Sequence, residues 1–472
     1  MTWTFARSTR DSRWSALTAW ILAAWCLTAA PAAAAPQAQG EARRALALPG
    51  GADPGQSPLR LTLADAIARG TGASHRLGEI RARETAAKAA LDFQIAEKRP
   101  LAGVQAGYQR TAHVDEYAIP SPTGPPRVIY PDVPDNLRAR IDLQWLFFTS
   151  GRVAAQARAA RAEAEAVGKD WLAARTDLKL EITRTFWALV TAREAERVVA
   201  QALANIDAHL RDVKNRRDVG LVPPNDVLST EAQRSRQQVL LIQAKHAVES
   251  AAAELRRLVG LDPDTPIEPD ALLDQPLPPP AGASALVDEA RKSRSDRQAI
   301  ESRLVSLAAR GDAVRANRGP VIGLVGGFDY ARPNPRIFPR EAEWRTFWDV
   351  GVNLTWTFWD GGRLAAGLAQ AAANRAALEE RLREFDSVLE VEVRQRLLDL
   401  DSAKAAVAAA ADGVRAAAEA RRVVEDRFKA GVAINTDVLD AQQVLLQAEL
   451  DRTRALADVR LAEARLERAL GR

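Results

Sequence analysis

The chain has 472 residues with 65 basic and 61 acidic side chains, so its formal charge of +4 gives no argument for a nucleic-acid partner. Its 27% charged and 47% hydrophobic content has the balance of a soluble protein, and its length suits two or three ordinary domains. The single cysteine, Cys26, excludes disulfides, and it falls in a segment read below as removable, which leaves no thiolate ligand or nucleophile.

Residues 1–35 read as a secretory signal peptide. Arg7, Arg10 and Arg13 precede the apolar run ALTAWILAAWCLTAA (Ala16–Ala30), and small residues follow up to Ala35. Cleavage is expected near Ala34 or Ala35. A lipid anchor on Cys26 would want a small residue before it, and Trp25 is large. Residues 36–60 read as a flexible N-terminal segment. Beyond residue 36 no run of about 18 apolar residues occurs, so no membrane-crossing helix is expected. An exported chain of that kind is periplasmic, secreted, or a β-barrel of the outer membrane.

Proline is missing from 59–99, 135–222, 225–262, 281–319 and 340–472, which is where long helices can form. These stretches are rich in Ala, Leu, Arg, Glu and Gln, and apolar residues recur at helical spacing, as in Leu364, Leu368, Leu378, Leu382, Phe385 and Leu389. Helices are expected at about 61–98, 151–218 and 225–259, then at 284–317, 362–429 and 435–470. The helix over 362–429 would be about 100 Å long. Few globular domains hold such a rod, and its alanines suit close lateral packing in coiled-coil fashion.

Strands are expected at about 101–112, 136–148, 321–331 and 347–359. In DVGVNLTWTF, Val350, Val352, Leu354, Trp356 and Phe358 alternate with Asp349, Gly351, Asn353, Thr355 and Thr357. Leu137 to Phe147 alternate in the same way against Arg138, Arg140, Asp142 and Gln144. Alternation alone fits a hairpin lying on a soluble helical core. A length of about ten residues, aromatics gathered at one end, an export signal and the lack of another apolar sheet favour a bilayer. Four strands cannot close a membrane barrel, so two chains or three must share one. The glycines of GLVGGFDY are expected to bend a strand or mark a bulge.

The chain is written twice. WLFFTSGR (Trp145–Arg152) and WTFWDGGR (Trp356–Arg363) lie 211 residues apart, and the same offset superposes 141–260 on 352–471 without a gap. Pro100, Gly103, Gly107 and Tyr108 fall on Pro320, Gly323, Gly327 and Phe328 at an offset of 220. The loop between these anchors is therefore nine residues shorter in the second copy. Repeat 1 spans 61–262, a proline-rich linker 263–283, and repeat 2 284–472.

These two phrases, the tip phrases VGLVPPNDVL and AGVAINTDVLD, and the opening LTLADAIARG occur in duplicated order, and with them the chain resembles the TolC-like outer-membrane efflux protein family. The resemblance implies a mixed α/β membrane protein of two structural repeats, each a β-hairpin plus long antiparallel helices. It further implies a homotrimer in the outer membrane, whose twelve-stranded β-barrel continues into an α-helical periplasmic barrel. The implied partners are a periplasmic adaptor (membrane fusion) protein, an inner-membrane pump of RND or ABC type, and outer-membrane lipid. By that resemblance Val219, Gly220, Leu221, Ala430, Gly431 and Val432 form the adaptor-binding tip, with Gly220 and Gly431 as left-handed helix caps. Asp437 and Asp440, three apart on one helix face, would ring the periplasmic gate, with Asp226 the remnant of the pattern in the first copy. Acids at a helix start also simply stabilise the helix. Neither Ala433 nor Phe428 can pair with a carboxylate, so the sequence names no lock for the gate. Trp145, Phe147, Trp356 and Phe358 are expected at the membrane interface, and Gly151, Gly361 and Gly362 at the strand-to-helix turns. His75, His113, His209 and His246 read as scattered surface residues. No catalytic constellation, metal site or cofactor is expected. The function expected is an exit channel for small molecules; the alternatives are a type I protein-secretion outlet and a soluble periplasmic coiled-coil scaffold.

Overall fold

The computed structural model describes residues 58–275 and 282–472. The expected export signal and residues 276–281 of the linker lie outside them. In chain order the elements are β1 (Leu59–Leu61), α1 (Leu63–Ala73), α2 (His75–Ala96), β2 (Leu101–Arg110), β3 (Tyr117–Ile119), β4 (Arg127–Tyr130), β5 (Asp135–Phe148), α3 (Arg152–Asp218) and α4 (Pro224–Val259). There follow β6 (Ile267–Pro269), α5 (Ala283–Ser293), α6 (Ser295–Ala316), β7 (Val321–Arg332), β8 (Arg345–Thr355), α7 (Arg363–Lys429) and α8 (Asn435–Ala469). The rods α3 and α7 have 67 residues each, about 100 Å at 1.5 Å per residue.

Three expectations need correction. The helices expected over 61–98 and 284–317 are each broken in two, at Ser74 and Arg294, one repeat offset of 220 apart. Both residues are extended, with ψ of 113° and 110°. Ser74 makes the break tolerable as an N-cap, its hydroxyl accepting from the Leu77 N–H at 3.3 Å. Arg294 does so by burying its guanidinium against Asp296 (2.7 Å) and Glu392 (3.0 Å). Second, the strand expected over 347–359 stops at Thr355. Its ladder partner there is Val321, and Pro320 before it has no N–H to extend the ladder. Third, Leu59 and Arg60, read as flexible, and Ile267–Pro269, read as linker, pair as the parallel strands β1 and β6. Sequence reading also passed over the small β3–β4 hairpin in the proline-rich loop.

Two hydrophobic cores repeat one another. The first holds Ala66, Leu178, Ile182, Leu189 and Leu255; the second holds Leu286, Leu389, Val393, Leu400 and Leu466 at the offset positions. One pair shows how volume is conserved. A β-carbon on Gly70 would overlap Ile182, whereas the second copy places Ala290 and Val393 at the corresponding positions. A methyl group has moved from one side of the contact to the other, as close packing requires.

The main sheet is antiparallel in the order β2-β5-β7-β8. Each repeat supplies one hairpin, and Ile141 opposite Phe328 lies in the seam between them. Cross-strand partners Val104–Ile141, Ile141–Phe328, Phe328–Trp348 and Leu324–Val352 share one face, and most of these side chains are exposed. The opposite face carries Gln105, Arg140, Asp142, Asp329 and Asp349. Gly326 and Gly327 make no bulge, since their pairing with Val350 and Asp349 continues the ladder unbroken. The β5–β7 ladder, however, shifts register between Trp145 and Phe148, opposite Gly323, as expected for this glycine-rich stretch. β2 and β8 are open edges within the chain.

Candidate functional site: the helical tip and the strand ends

At the tip, both long rods end in the same backbone motif. The Gly220 N–H donates to Arg217 O and the Leu221 N–H to Arg216 O, both at 2.8 Å. In the second copy Gly431 donates to Phe428 O (3.0 Å) and Val432 to Arg427 O (2.9 Å). The glycines have φ of 74° and 77°, the left-handed region that such a C-cap needs. Beyond each cap the chain projects apolar side chains into solvent: Val219 and Leu221 on one knob, Val432 and Ile434 on the other, all about two-thirds exposed. Ile434 was not singled out from the sequence, although its place between the cap and the next helix could have indicated it. Ala430 is the C-cap residue of α7.

The acids behave differently from one another. Asp437, exposed in the first turn of α8, accepts from the Ile434 N–H at 3.2 Å, a reciprocal cap on its own helix. Asp440, one turn on, is exposed and makes no ion pair among the described residues. Asp226 is half-buried, and what the structure uses is its carbonyl, which accepts from Thr230 Oγ1 (2.7 Å), Ser229 Oγ (3.0 Å) and Asn435 Nδ2 (3.2 Å).

Those bonds belong to a buried network that sequence reading missed. Asn435, 2% exposed, donates from Nδ2 also to Ser229 Oγ (3.2 Å) and Thr230 Oγ1 (3.1 Å), while its Oδ1 lies 2.8 Å from His209 Nε2. Because the Asn435 amide nitrogen faces acceptors, its oxygen takes the proton on His209 Nε2. His209, expected at the surface, is in fact buried against Phe428, ring centroids 5.4 Å apart. Arg216 then closes the cluster, its guanidinium 4.8 Å over the Phe428 ring and its Nη1 donating to Phe428 O at 3.2 Å. Helices α3, α4, α7 and α8 are thus fastened together at the tip. The repeat gave no sign of it: the offset partners of His209, Thr230 and Asn435 are Ala420, Ala441 and Pro224.

At the other end of the rods, the indoles of Trp145 and Trp356 donate to Lys98 O (2.9 Å) and Arg318 O (3.1 Å). The tryptophans differ by 211 and their acceptors by 220, so one bond survives across both offsets. Phe147 is half-exposed and Phe358 more so; Trp356 and Phe358 stand past the end of β8, in the connection to α7. The turns are left-handed in both copies, with φ of 50° and 87° at Ser150 and Gly151 and 65° and 92° at Gly361 and Gly362. Asp360 caps α7, accepting from the Leu364 N–H at 2.7 Å and the Gly362 N–H at 3.0 Å, and these donors hold its carboxyl below the usual aspartate range.

A family model described as outer membrane efflux protein matches residues 71–261 and 286–472. The outer membrane efflux protein BepC of Brucella suis is 29% identical over 313 residues, 64% of this chain and 66%, just under two thirds, of that one. The protein CyaE of Bordetella pertussis is 27% identical over 335 residues, 67% of this chain and 68% of that one. Among solved structures, CusC superposes with a TM-score of 0.73 at 15% identity, covering 86% of this chain and 91% of that one. The outer membrane protein VceC of Vibrio cholerae gives 0.71 at 20% identity, with 87% and 96% covered. At these identities the structural likeness shows the fold.

Proposed function

The chain belongs to the outer membrane efflux protein family, and from that premise we propose that three copies close a twelve-stranded barrel and form a passive exit duct for small molecules. The observation that carries this reading is the four-stranded sheet with one apolar, exposed face and two unpaired edges. Each edge presents roughly ten unpaired backbone groups, and in hydrocarbon each costs several kcal/mol, so lipid demands closure. The apolar face from Leu137 to Trp145 runs about 26 Å along the strand, about 20 Å of depth at a tilt of about 40°. That approaches the roughly 25 Å apolar band of such barrels. The soluble-scaffold alternative leaves that face and the outer-membrane family unaccounted for.

In this mechanism the rods carry the lumen away from the membrane, and the chain supplies no energy. Val219, Leu221, Val432 and Ile434 offer an apolar surface to a periplasmic adaptor, which couples the duct to an inner-membrane pump. Asp440, with Asp437 beside it and Asp226 nearby, places carboxylates at the periplasmic opening, where three copies form a ring that favours cations. Trp145, Phe147, Trp356 and Phe358 mark the periplasmic membrane boundary. Small molecules are the cargo class proposed because the family and BepC are both described by efflux.

The test is reconstitution of purified trimers in planar bilayers. Asp437→Asn with Asp440→Asn is expected to lower the cation-to-anion permeability ratio; an unchanged ratio refutes the ring. Deletion in the native host should raise sensitivity to toxic small molecules. Loss of a secreted protein with no change in sensitivity would instead assign the secretion role.

A further inference from the structure

The polar face of the sheet carries an ion-pair belt that the efflux reading does not use. Arg138 grips Asp329 with two bonds, Nε to Oδ1 at 2.6 Å and Nη2 to Oδ2 at 3.0 Å. Arg140 reaches three strands at once: Asp142 on β5 (2.6 Å), Asp329 on β7, and Asp349 on β8 (3.1 and 3.3 Å). From the loop after β7, Arg336 returns over the same face to Asp349 at 3.1 Å, its guanidinium 5.0 Å from the Phe347 ring.

The backbone is shaped for this arrangement. Arg140 crosses to Asp349 over Gly327, and a β-carbon there would overlap the guanidinium. This gives Gly327 a reason other than bending. The belt joins the two repeats, since both arginines on β5 come from the first and Asp329 and Asp349 from the second. Its charges are three arginines against three aspartates. The other charges at this end also cancel: Arg345 pairs with Glu341 and Glu343 (2.6 and 3.4 Å), and Arg340, which donates to Asn136 on the same face at 3.1 Å, makes two arginines against two glutamates.

We propose that this belt lines the lumen of the barrel as a charge-balanced, non-selective ring whose neutrality depends on Arg140, so that loss of one charge of either sign turns the barrel interior into an ion filter. The inference rests on the trimeric-duct reading, in which the polar face points inward. Each substitution then acts three times around one ring, in a space walled by protein and lipid where a fixed charge is felt more strongly than in bulk water. Wild-type selectivity is accordingly set at the tip carboxylates, and the barrel adds none.

The experiment measures reversal potentials of purified trimers in planar bilayers under a salt gradient, for the wild type and three variants. Arg140→Gln is expected to raise the cation-to-anion permeability ratio and Asp349→Asn to lower it. Asp349 is about a third exposed on an edge strand, so its variant is the one least exposed to misfolding. Gly327→Ala displaces Arg140 while keeping every charge, and is expected to leave the ratio at the wild-type value. Conducting channels in which Arg140→Gln and Asp349→Asn both retain the wild-type ratio overturn the proposal. So does a Gly327→Ala shift as large as that of Arg140→Gln, because geometry rather than charge would then be the cause. Failure of the wild type itself to form channels would overturn the duct reading underneath.

Discussion

Replacing Asn435 by Ala should loosen the tip by an amount the network allows to be worked out. Of the groups Asn435 serves, Thr230 Oγ1 and Ser229 Oγ keep their bonds to Asp226 O at 2.7 and 3.0 Å. What is left without a partner is His209 Nε2, on a side chain 9% exposed. An orphaned buried donor costs about 1–3 kcal/mol. Taking about 2 kcal/mol, amide exchange in residues 438–446 should accelerate about 30-fold, because opening free energy sets exchange there. Exchange mass spectrometry on the purified protein reads this directly. The paired variant His209→Leu with Asn435→Leu removes both partners and should cost less than the summed single variants by at least about 1 kcal/mol. An acceleration below about threefold for Asn435→Ala, or strict additivity of the pair, would refute the reasoning.

Three other outcomes follow from the geometry. Asp437→Ala should cost about 1 kcal/mol through its lost cap, and Asp440→Ala less than about 0.5 kcal/mol, seen as unequal shifts in tip exchange. Gly70→Ala should destabilise by about 1–3 kcal/mol through overpacking against Ile182, and adding Ile182→Val should recover part of it in thermal melts, since that reproduces the pairing of the second copy. Glu449, half-buried in α8, has its carboxyl pushed above the ordinary value of 4.5 by burial. The folded state thus binds its proton more tightly than the unfolded chain, so this group's contribution falls as pH rises through the raised value. Glu449→Gln should therefore stabilise the protein at neutral pH, with a gain that vanishes below about pH 4.5; a gain independent of pH would contradict the assignment.

What could be read from the sequence was whatever the chain states through period and punctuation. Alternation over 137–147 and 349–357 gave the faces of the sheet, and Gly151, Gly220, Gly362 and Gly431 gave the ends of the rods. The helix breaks at Ser74 and Arg294 escaped because neither carries a proline or glycine; one break rests on a hydroxyl cap and the other on two carboxylates, one of them, Glu392, 98 residues distant. The end of β8 escaped because alternation continues through Trp356 and Phe358 after the ladder partner has run out. His209 and Asn435 could not be joined by any local pattern, being 226 residues apart and lacking counterparts in the other repeat. Arg140 and Gly327 were each visible, but only the register brings them together.

The asymmetry of the tip bears on how many partners the duct can engage. Its caps at Gly220 and Gly431 are alike, so a ligand that reads only the capping knobs of the proposed trimer meets six near-equivalent docks. The helix flanks beside those knobs differ, one starting with Pro224 and the other anchored by buried Asn435. A ligand that reads the flanks meets two alternating classes, three of each. Stoichiometry at this end is therefore decided by how far along the helices a partner reaches: six copies for a shallow contact, three, or two unequal sets of three, for a deep one.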